Sequence, residues 1–210
     1  PVKEGHTFSG WSETPATMPA SDITIEGSFT VNNYTMTYLV DGEEFATDYI
    51  AFGAEIVLRE QPTKEGHTFS GWSDAPATMP AEDVVIEGSF TVNTYNVIYK
   101  VDGEEFATDS IAFGSEITLR EEPTKEGHTF SGWSETPETM PAKDVTIEGV
   151  FTVNSYVVKY LVDGEEFATD SIAFGSEITL IEAPTKEGHT FSGWSETPET
   201  MPASDITIEG

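Results

Sequence analysis

The sequence has no cysteine among its 210 residues, which excludes disulfides and cysteine-based catalysis. It is also poor in basic residues, with 9 Lys and Arg against 38 Asp and Glu and a formal net charge of -29. Nucleic-acid and anionic-membrane binding need clustered Lys and Arg, and here these residues are scattered singly, so neither partner is expected. No apolar run reaches the roughly 18 residues that span a bilayer, so no membrane insertion is expected within this segment.

What the sequence does contain is one unit repeated at a fixed period of 61 residues. The period is set by four tryptophans and four histidines, Trp11, Trp72, Trp133, Trp194, His6, His67, His128 and His189. Repetition at this length predicts small modules in series, each with its own core. The predicted modules are a partial repeat at 1–33, full repeats at 34–94 and 95–155, and a nearly full repeat at 156–210 that lacks its last strand. We expect the chain to be a window from a longer array.

The stretch after Asn33 predicts a β-hairpin in each copy. Positions 34, 36, 38 and 40 stay apolar in all copies while the positions between them vary, which is typical of a half-buried strand. Asp41-Gly42 predicts a type I′ turn, because both central residues of that turn need positive φ. The returning strand places Phe45 and Ile50 at different parity, which predicts a β-bulge in the hairpin.

The middle of each copy predicts two further short strands. Residues 55–58 read as a strand, and residues 67–73 read as another with Gly71 inside it. Phe69 and Trp72 are three residues apart, so a regular strand would place them on opposite faces. A bulge at Gly71 would bring both rings to the same core.

The end of each copy predicts one helical turn over residues 79–83, with a proline at its first position, followed by a closing strand. The closing strand alternates, with one face formed by Val84, Ile86, Phe90 and Val92. Only one or two polar residues then separate it from the next hairpin. The fold class is therefore mostly β, small modules in a tandem array, and connections this short favour an elongated, semi-rigid rod.

These motifs together resemble the Listeria–Bacteroides repeat, a family that includes the internalin B-repeat. Its members carry P-T-K-x-G-Y-T-F-x-G-W, which the segment from Pro62 to Trp72 matches, with His67 in place of the usual tyrosine. The other three copies match equally, apart from Val2 in the first. The closing segment also lacks the Ala-Lys-Trp that is common in the family. The resemblance implies a β-grasp-like module of bacterial surface proteins, repeated between a functional head and a wall or membrane anchor.

The single histidine of each module raises the question of a metal or general-base site. Metal sites need several converging ligands and acid–base catalysis needs a second group within reach, and the nearest sequence partner of His67 is Glu65. A turn or packing role is favoured. The Asp41-Gly42-Glu43-Glu44 run lacks the spacing of an EF-hand, so calcium stays an alternative only, for example between modules.

Two more features could carry chemistry. Trp72 and its equivalents could stack on sugars, although a module of this size needs Trp72, Phe69, Tyr38 and Phe90 as core volume. Ser70 lacks the Gly-x-Ser-x-Gly elbow of a nucleophile. We therefore assign no catalytic, cofactor-binding or metal-binding residue and expect no enzyme.

The function that the sequence predicts is a non-enzymatic extracellular stalk or spacer of an adhesin-like protein at a bacterial cell surface. Its expected partners are the neighbouring repeats of the same chain. Two alternatives stay open: repeats that bind host glycan or surface protein multivalently, and a filament whose strand edges pair laterally. A binder predicts a constant exposed aromatic patch on every repeat, and a spacer predicts outer positions that vary between copies.

Overall fold

The computed structural model describes residues 1–210, and all of its regular elements are β-strands in small sheets. Contacts divide the chain into two compact units, Pro1–Thr94 and Tyr95–Gly210. The strands of the first unit are β1 His6–Phe8, β2 Phe29–Val31, β3 Asn33–Val40, β4 Glu43–Ala51, β5 His67–Phe69, β6 Val84–Gly88 and β7 Phe90–Val92.

The hairpin and the strands that follow it recur along the rest of the chain. The strands from Thr94 onward are β8 Thr94–Val101, β9 Glu104–Ala112, β10 His128–Phe130, β11 Val145–Gly149, β12 Phe151–Val153, β13 Ser155–Val162, β14 Glu165–Ala173 and β15 Ile206–Glu209. No helix in the chain is long and apolar enough to cross a membrane.

The predicted hairpin is confirmed as β3 and β4, which pair antiparallel. Met36 and Tyr38 are fully buried, as the alternating pattern predicts. Asp41 and Gly42 have φ of 54° and 85°, so both central turn residues are left-handed, as a type I′ turn requires. The turn therefore follows from the sequence pattern alone.

The predicted bulge is also confirmed, and it falls at Phe45. Tyr38 pairs with Ala46 and the next residue, Leu39, pairs with Glu44, so Phe45 has no partner across the ladder. The extra residue changes the parity of β4 and turns the Phe45 side chain towards Trp72, at 5.9 Å between ring centroids.

The hairpin is completed by β6, which pairs with β3 in parallel and gives a sheet of order β4-β3-β6. The core lies on one face of this sheet, and its buried residues are Met36, Tyr38, Met79 and Ile86. The copy at 95–155 and the nearly full copy at 156–210, which is counted with the full copies below because it keeps the hairpin and its parallel partner strand, have clusters of their own, built from equivalent residues with Ile117 or Ile178 added. Each fully buried aliphatic or methionine side chain stabilises the fold by roughly 1.5–3 kcal/mol, so a repeat of this size depends on very few residues.

A second, smaller sheet is formed by β5 and β7. The closing segment was predicted as one strand with Phe90 and Val92 on the same face as Ile86. The structure divides it after Gly88, so that β6 pairs with β3 and β7 pairs with β5. Phe69 of β5 packs closely at this point, since a Cβ at Gly88 would lie 2.2 Å from its Cζ. One continuous segment thereby ties the two sheets together.

Two local predictions are wrong. Residues 55–58 form no strand but a single bridge between Glu55 and Thr78. Residues 79–83 form no helical turn, because the backbone of Met79 is bonded elsewhere: its N–H donates to the carbonyl of Ala54 at 2.9 Å and its carbonyl accepts from Gly53 at 2.8 Å. Met79 is thus held in the core, only 1% exposed.

The Gly71 segment differs from its prediction in mechanism and agrees with it in outcome. The strand ends at Phe69, and Gly71 makes a left-handed bend with φ of 87°. The bend brings Trp72 back to Phe69, with ring centroids 5.0 Å apart. Both rings reach the same side of the repeat, as predicted, but they are half-buried rather than fully buried, so Tyr38 is the fully buried aromatic residue of this core.

Segments that have no partner strand in this chain form no strand. Residues 23–26 are equivalent to β6, lack a hairpin to pair with and leave Ile25 44% exposed, whereas Ile86 is fully buried. Residues 189–191 are equivalent to β5, lack a β7 and are not a strand either. Each strand therefore depends on its partner and not on its own sequence, as short strands in small sheets do.

Candidate functional site

The most distinctive local structure is the connection between one copy and the next, which we call the joint. The first joint consists of Gly5, His6, Asn32 and Phe52, and the second of the equivalent Gly127, His128, Asn154 and Phe174. A single residue, Asn32 or Asn154, separates the last strand of one copy from the first strand of the next. The first joint lies within the first compact unit, and the second joint lies within the second.

The linking asparagine is bonded on both sides. The N–H of Asn32 donates to the carbonyl of Gly5 at 2.9 Å, and the carbonyl of Asn32 accepts from the N–H of Phe52 at 2.9 Å. Its side-chain Oδ1 accepts from the Thr7 hydroxyl at 2.6 Å. Asn154 makes the same three bonds with Gly127, Phe174 and Thr129. The connection is therefore a fixed structural element and not a free linker.

The ring of Phe52 lies directly on the backbone of Gly5. A Cβ at Gly5 would lie 2.1 Å from Cγ of Phe52, and the glycine has φ of 65°. In the second joint, a Cβ at Gly127 would lie 2.2 Å from Cγ of Phe174. Glycine is needed here for two reasons, left-handed backbone and close approach. Gly188, which has no following phenylalanine in the chain, is exposed.

The histidines His6 and His128 pack in the two joints, whereas His189 is exposed. The ring of His6 meets Phe52 edge-on at 5.9 Å and Phe29 at 6.3 Å between centroids. Its Nδ1 lies 2.7 Å from the carbonyl oxygen of Glu4, which can only accept, so Nδ1 carries the proton. The structure thus places the histidine at a turn, in contact with aromatic rings. No group of three or more His, Cys, Asp or Glu side chains is arranged to hold a metal ion.

The acidic turn residue Asp41 has a structural contact as well. Its Oδ1 accepts a hydrogen bond from the N–H of Phe90 at 2.9 Å, which ties the hairpin turn to the start of β7. Asp102 bonds Phe151 in the same way. The side chain of the neighbouring Glu44 accepts from the hydroxyl of Thr47 at 3.0 Å. Asp41, Gly42 and Glu44 of the acidic segment 41–44 thus have structural roles in the turn and in these hydrogen bonds.

Trp72 packs against three rings and is half-buried. Its ring centroid lies 5.0 Å from those of Tyr38 and Phe69 and 5.9 Å from that of Phe45. Its Nε1–H donates to the carbonyl of Arg59 at 2.9 Å. In the partial first copy, where no hairpin covers it, Trp11 is 64% exposed. The hairpin is therefore what covers the indole.

One aromatic side chain does stay at the surface in every full copy. Phe45, Phe106 and Phe167 are each about half exposed, at 48%, 49% and 49%, and each lies beside the tryptophan of its repeat. This pair of rings is the constant apolar feature of the repeat surface.

An ion pair accompanies the core in two of the three full copies. Arg59 pairs with Asp48 and lies over the ring of Tyr38, 5.9 Å from its centroid. Hydrogen bonding from Arg59 holds the pKa of Asp48 below its usual value. Arg120 does the same for Asp109. The third copy has Ile181 at the arginine position, so this pair is not required for the fold.

The sequence profile of the Listeria–Bacteroides repeat domain matches residues 34–92, 95–154 and 156–208. The chain belongs to the Listeria–Bacteroides repeat family. The resemblance carried by the P-T-K and G-W motifs is thus confirmed. The partition of the chain at 33, 94 and 155 stays a prediction.

Curated relatives of the Listeria–Bacteroides repeat chain include Internalin H of Listeria monocytogenes, 34% identical over 58% of this chain and 25% of that protein. Two proteins of Evansella cellulosilytica, whose names describe membrane proteins, are 27% and 28% identical over 92% and 82% of this chain. The chain spans 26% and 29% of their lengths. It thus corresponds to about a quarter of each of these larger proteins.

Sequence reasoning missed Phe52 and Gly5 as partners and Met79 as a core residue. The sequence pattern predicts only a local helical turn at Met79 and no role for Phe52. The signal that could have found them is constancy between copies: the Phe-Gly and Gly-His pairs recur in every copy that contains those positions, and the Met-Pro pair in all four.

Proposed function

We propose that these repeats form a non-enzymatic, extracellular spacer of a bacterial cell-surface protein, which holds a functional head away from the cell. Each full repeat has a buried cluster of its own, and none of the clusters contains a buried charged or polar residue that a reaction could use. The length of such a spacer would be set by the number of repeats, as in other repeat proteins whose units contact only their neighbours.

The observation that carries the proposal is the joint. A binding module on a flexible linker needs no fixed contacts to its neighbour, whereas a spacer does. At Asn32 and Asn154, one residue is held by three hydrogen bonds, and a phenylalanine of the following copy covers a glycine of the preceding one. Limited rotation at each connection favours an extended array.

Surface chemistry also supports a spacer. The outward positions of the first strand differ between copies in size and charge: Thr35, Asn96 and Val157; Thr37, Ile98 and Lys159; Leu39, Lys100 and Leu161. A shared ligand site on this face would keep its residue types. The net charge of -29 makes neighbouring molecules repel each other and keeps crowded chains in solution.

The extracellular location rests on the family and on Internalin H, which shares a quarter of its length with this chain. The absence of cysteine is compatible with export without disulfides. A cell-surface location places the chain where a spacer is useful.

Small-angle scattering tests the spacer directly. A compact chain of 210 residues would have a radius of gyration of about 17 Å. An extended array would exceed this clearly, and inserting one more copy of residues 95–155 would lengthen the particle by about 25–40 Å. A radius of gyration near the compact value, or no lengthening on insertion, would reject the proposal.

A second candidate function is multivalent binding through the exposed phenylalanine. Phe45, Phe106 and Phe167 are constant and half exposed, which is the surface that a binder would show. Replacing all three with alanine would then abolish retention on immobilised host glycans or host cells, with the triple variant Tyr49→Ala, Ser110→Ala and Ser171→Ala as control. Equal retention of both variants would remove this candidate.

A further inference from the structure

The first and last strands of the larger sheet are direct neighbours and run in the same direction. In the copy spanning β3 to β7, Met36 of β3 pairs with Val84 of β6, and the pairing continues in register to Val40 and Gly88. The two other full copies have the same parallel ladder, between β8 and β11 and between β13 and β15.

This topology determines how tension acts on a repeat. The chain enters at Asn33, at the start of β3, and leaves through Gly88, at the end of β6. These two points lie at opposite ends of one parallel ladder. Pulling them apart slides β3 along β6 and stretches all of the ladder hydrogen bonds together, whereas pulling two strands from the same end breaks the bonds one after another.

Two aspartates fasten the ladder at its ends. At the entry end, Oδ1 of Asp83 accepts from the N–H of Thr35 at 2.8 Å. At the exit end, Oδ1 of Asp41 accepts from the N–H of Phe90 at 2.9 Å. Hydrogen bonds to a carboxylate are roughly twice as strong as neutral ones. The bond from Thr35 holds the pKa of Asp83 below its usual value.

Both bonds recur in the copy that begins at β8, and the last copy has the entry-end bond. Asp144 accepts from Asn96 and Asp205 from Val157 at the entry end, both at 2.8 Å, and Asp102 accepts from Phe151 at 2.9 Å at the exit end. In the partial first copy, Asp22 stands at the position of Asp83, but no hairpin is present for it to bond.

We propose that each repeat with a parallel ladder is a force-bearing element, in which tension along the chain loads β3 and β6, or their equivalents, in shear and the bonded aspartates hold the ladder in register. The proposal rests on the spacer function and extends it: the array transmits a pull between a head and a cell without unfolding. Forced unfolding is governed by the unfolding rate, so the resistance comes from how the ladder is loaded and not from equilibrium stability alone.

Single-molecule force spectroscopy on the full 210-residue chain tests the loading geometry. Because the chain has no cysteine, handles can be attached at introduced pairs. The pair N33C/S89C pulls the ladder of one repeat in shear, and the pair N33C/E82C pulls the same ladder open from one end. All three positions are exposed. The contour length released is set by the number of residues between the two handles and shows that the loaded repeat has ruptured.

At equal loading rate, we expect the shear pair to rupture at about twice the force of the opening pair or more, because its bonds break together. Equal rupture forces in the two geometries would overturn the proposal. Both variants keep the native sequence in β4 and β6, so their equilibrium stabilities serve as a check that the fold is unchanged.

The aspartate contribution is tested by D83A, with D22A as the matched control. D83A removes the bond to Thr35 and should lower the shear rupture force of one repeat, while D22A should leave every rupture event as it is. Equal effects of the two variants would overturn the role given to Asp83. Small-angle scattering distinguishes failure of this proposal from failure of the spacer proposal. If the particle is extended but ruptures at the same low force in both pulling geometries, only the force-bearing role is rejected.

Discussion

The guanidinium of Arg59 donates two hydrogen bonds to the carboxylate of Asp48, from Nε to Oδ2 at 3.0 Å and from a terminal nitrogen to Oδ1 at 2.5 Å. This bidentate pair lies at the edge of the core, where Arg59 also covers the ring of Tyr38. The last copy lacks this ion pair, because Ile181 stands at the position of the arginine.

The first prediction concerns pH. A lowered folded-state pKa means that Asp48 stabilises the repeat above its unfolded pKa, about 3.9, and that this contribution is lost as the pH falls through the folded value. Arg59→Ile should therefore raise the pKa of Asp48, reduce stability at neutral pH and leave stability in strong acid unchanged. Carboxyl NMR titration and urea denaturation at several pH values measure these effects.

The neighbouring Glu60→Gln serves as control for the pH experiment, since it removes one charge of the opposite sign beside the pair but not in it. An Asp48 midpoint that does not move in Arg59→Ile would show that the ion pair contributes nothing in solution, as many exposed pairs do.

The second prediction concerns the core methionine. Met140 is 1% exposed, whereas Met18, at the same position of the partial copy, is 71% exposed. Met140→Ala should destabilise its repeat by about 2–5 kcal/mol, because it leaves a cavity. Met18→Ala should change stability by less than about 0.5 kcal/mol. Urea denaturation measures both, and similar values would contradict the burial of Met140.

The third prediction concerns the joint. Gly127 and Gly188 both have positive φ, 67° and 72°, but only Gly127 lies under a phenylalanine. Alanine should cost about 1–2 kcal/mol at either position for left-handed backbone. At Gly127 it should cost about 1–3 kcal/mol more, because its Cβ meets Phe174. The difference between the two variants in denaturation measures the close packing of the joint.

If Gly127→Ala and Gly188→Ala lose the same stability, the ring of Phe174 does not rest on Gly127 in solution. Phe174→Ala gives an independent check, since it should remove the extra cost of Gly127→Ala and leave the backbone cost. This non-additivity is expected only for residues in contact.

The fourth prediction concerns the ends of the chain. Residues 84–88 and 145–149 are strands, whereas the equivalent residues 23–26 have no partner strand. Hydrogen exchange followed by mass spectrometry should show strong protection in peptides covering the two strands and little in a peptide covering residues 23–26. Equal protection in a proven monomer would count against the dependence of these strands on the hairpin.

The parts of the fold that could be predicted from sequence are those that local rules determine. The alternation of apolar residues predicted the burial of Met36 and Tyr38, and Asp41-Gly42 predicted the turn. The change of parity along the returning strand predicted the bulge that the structure has at Phe45. The parts that could not be predicted depend on partners distant in sequence. Met79 is held by the backbone of Gly53 and Ala54, where a helical turn was predicted, and the predicted strand at 55–58 is reduced to one bridge with Thr78.

The joint shows the same limit for the candidate site. The sequence indicated a short connection at Asn32, because the polar residues between strands can be counted. It did not indicate that Phe52 would rest on Gly5, since the two are far apart in sequence and each has a plausible local role. Comparing copies shows which residues are kept, whereas only the coordinates show which of them touch.

The joint also has a consequence for inheritance. Its contacts come only from residue types that recur in every copy containing those positions, so any copy can follow any other with the same partners. When unequal crossover adds or removes one 61-residue unit from the gene, the remaining neighbours meet through an unchanged interface. Such a locus can vary the size of its product in equal steps, with no compensating substitution needed.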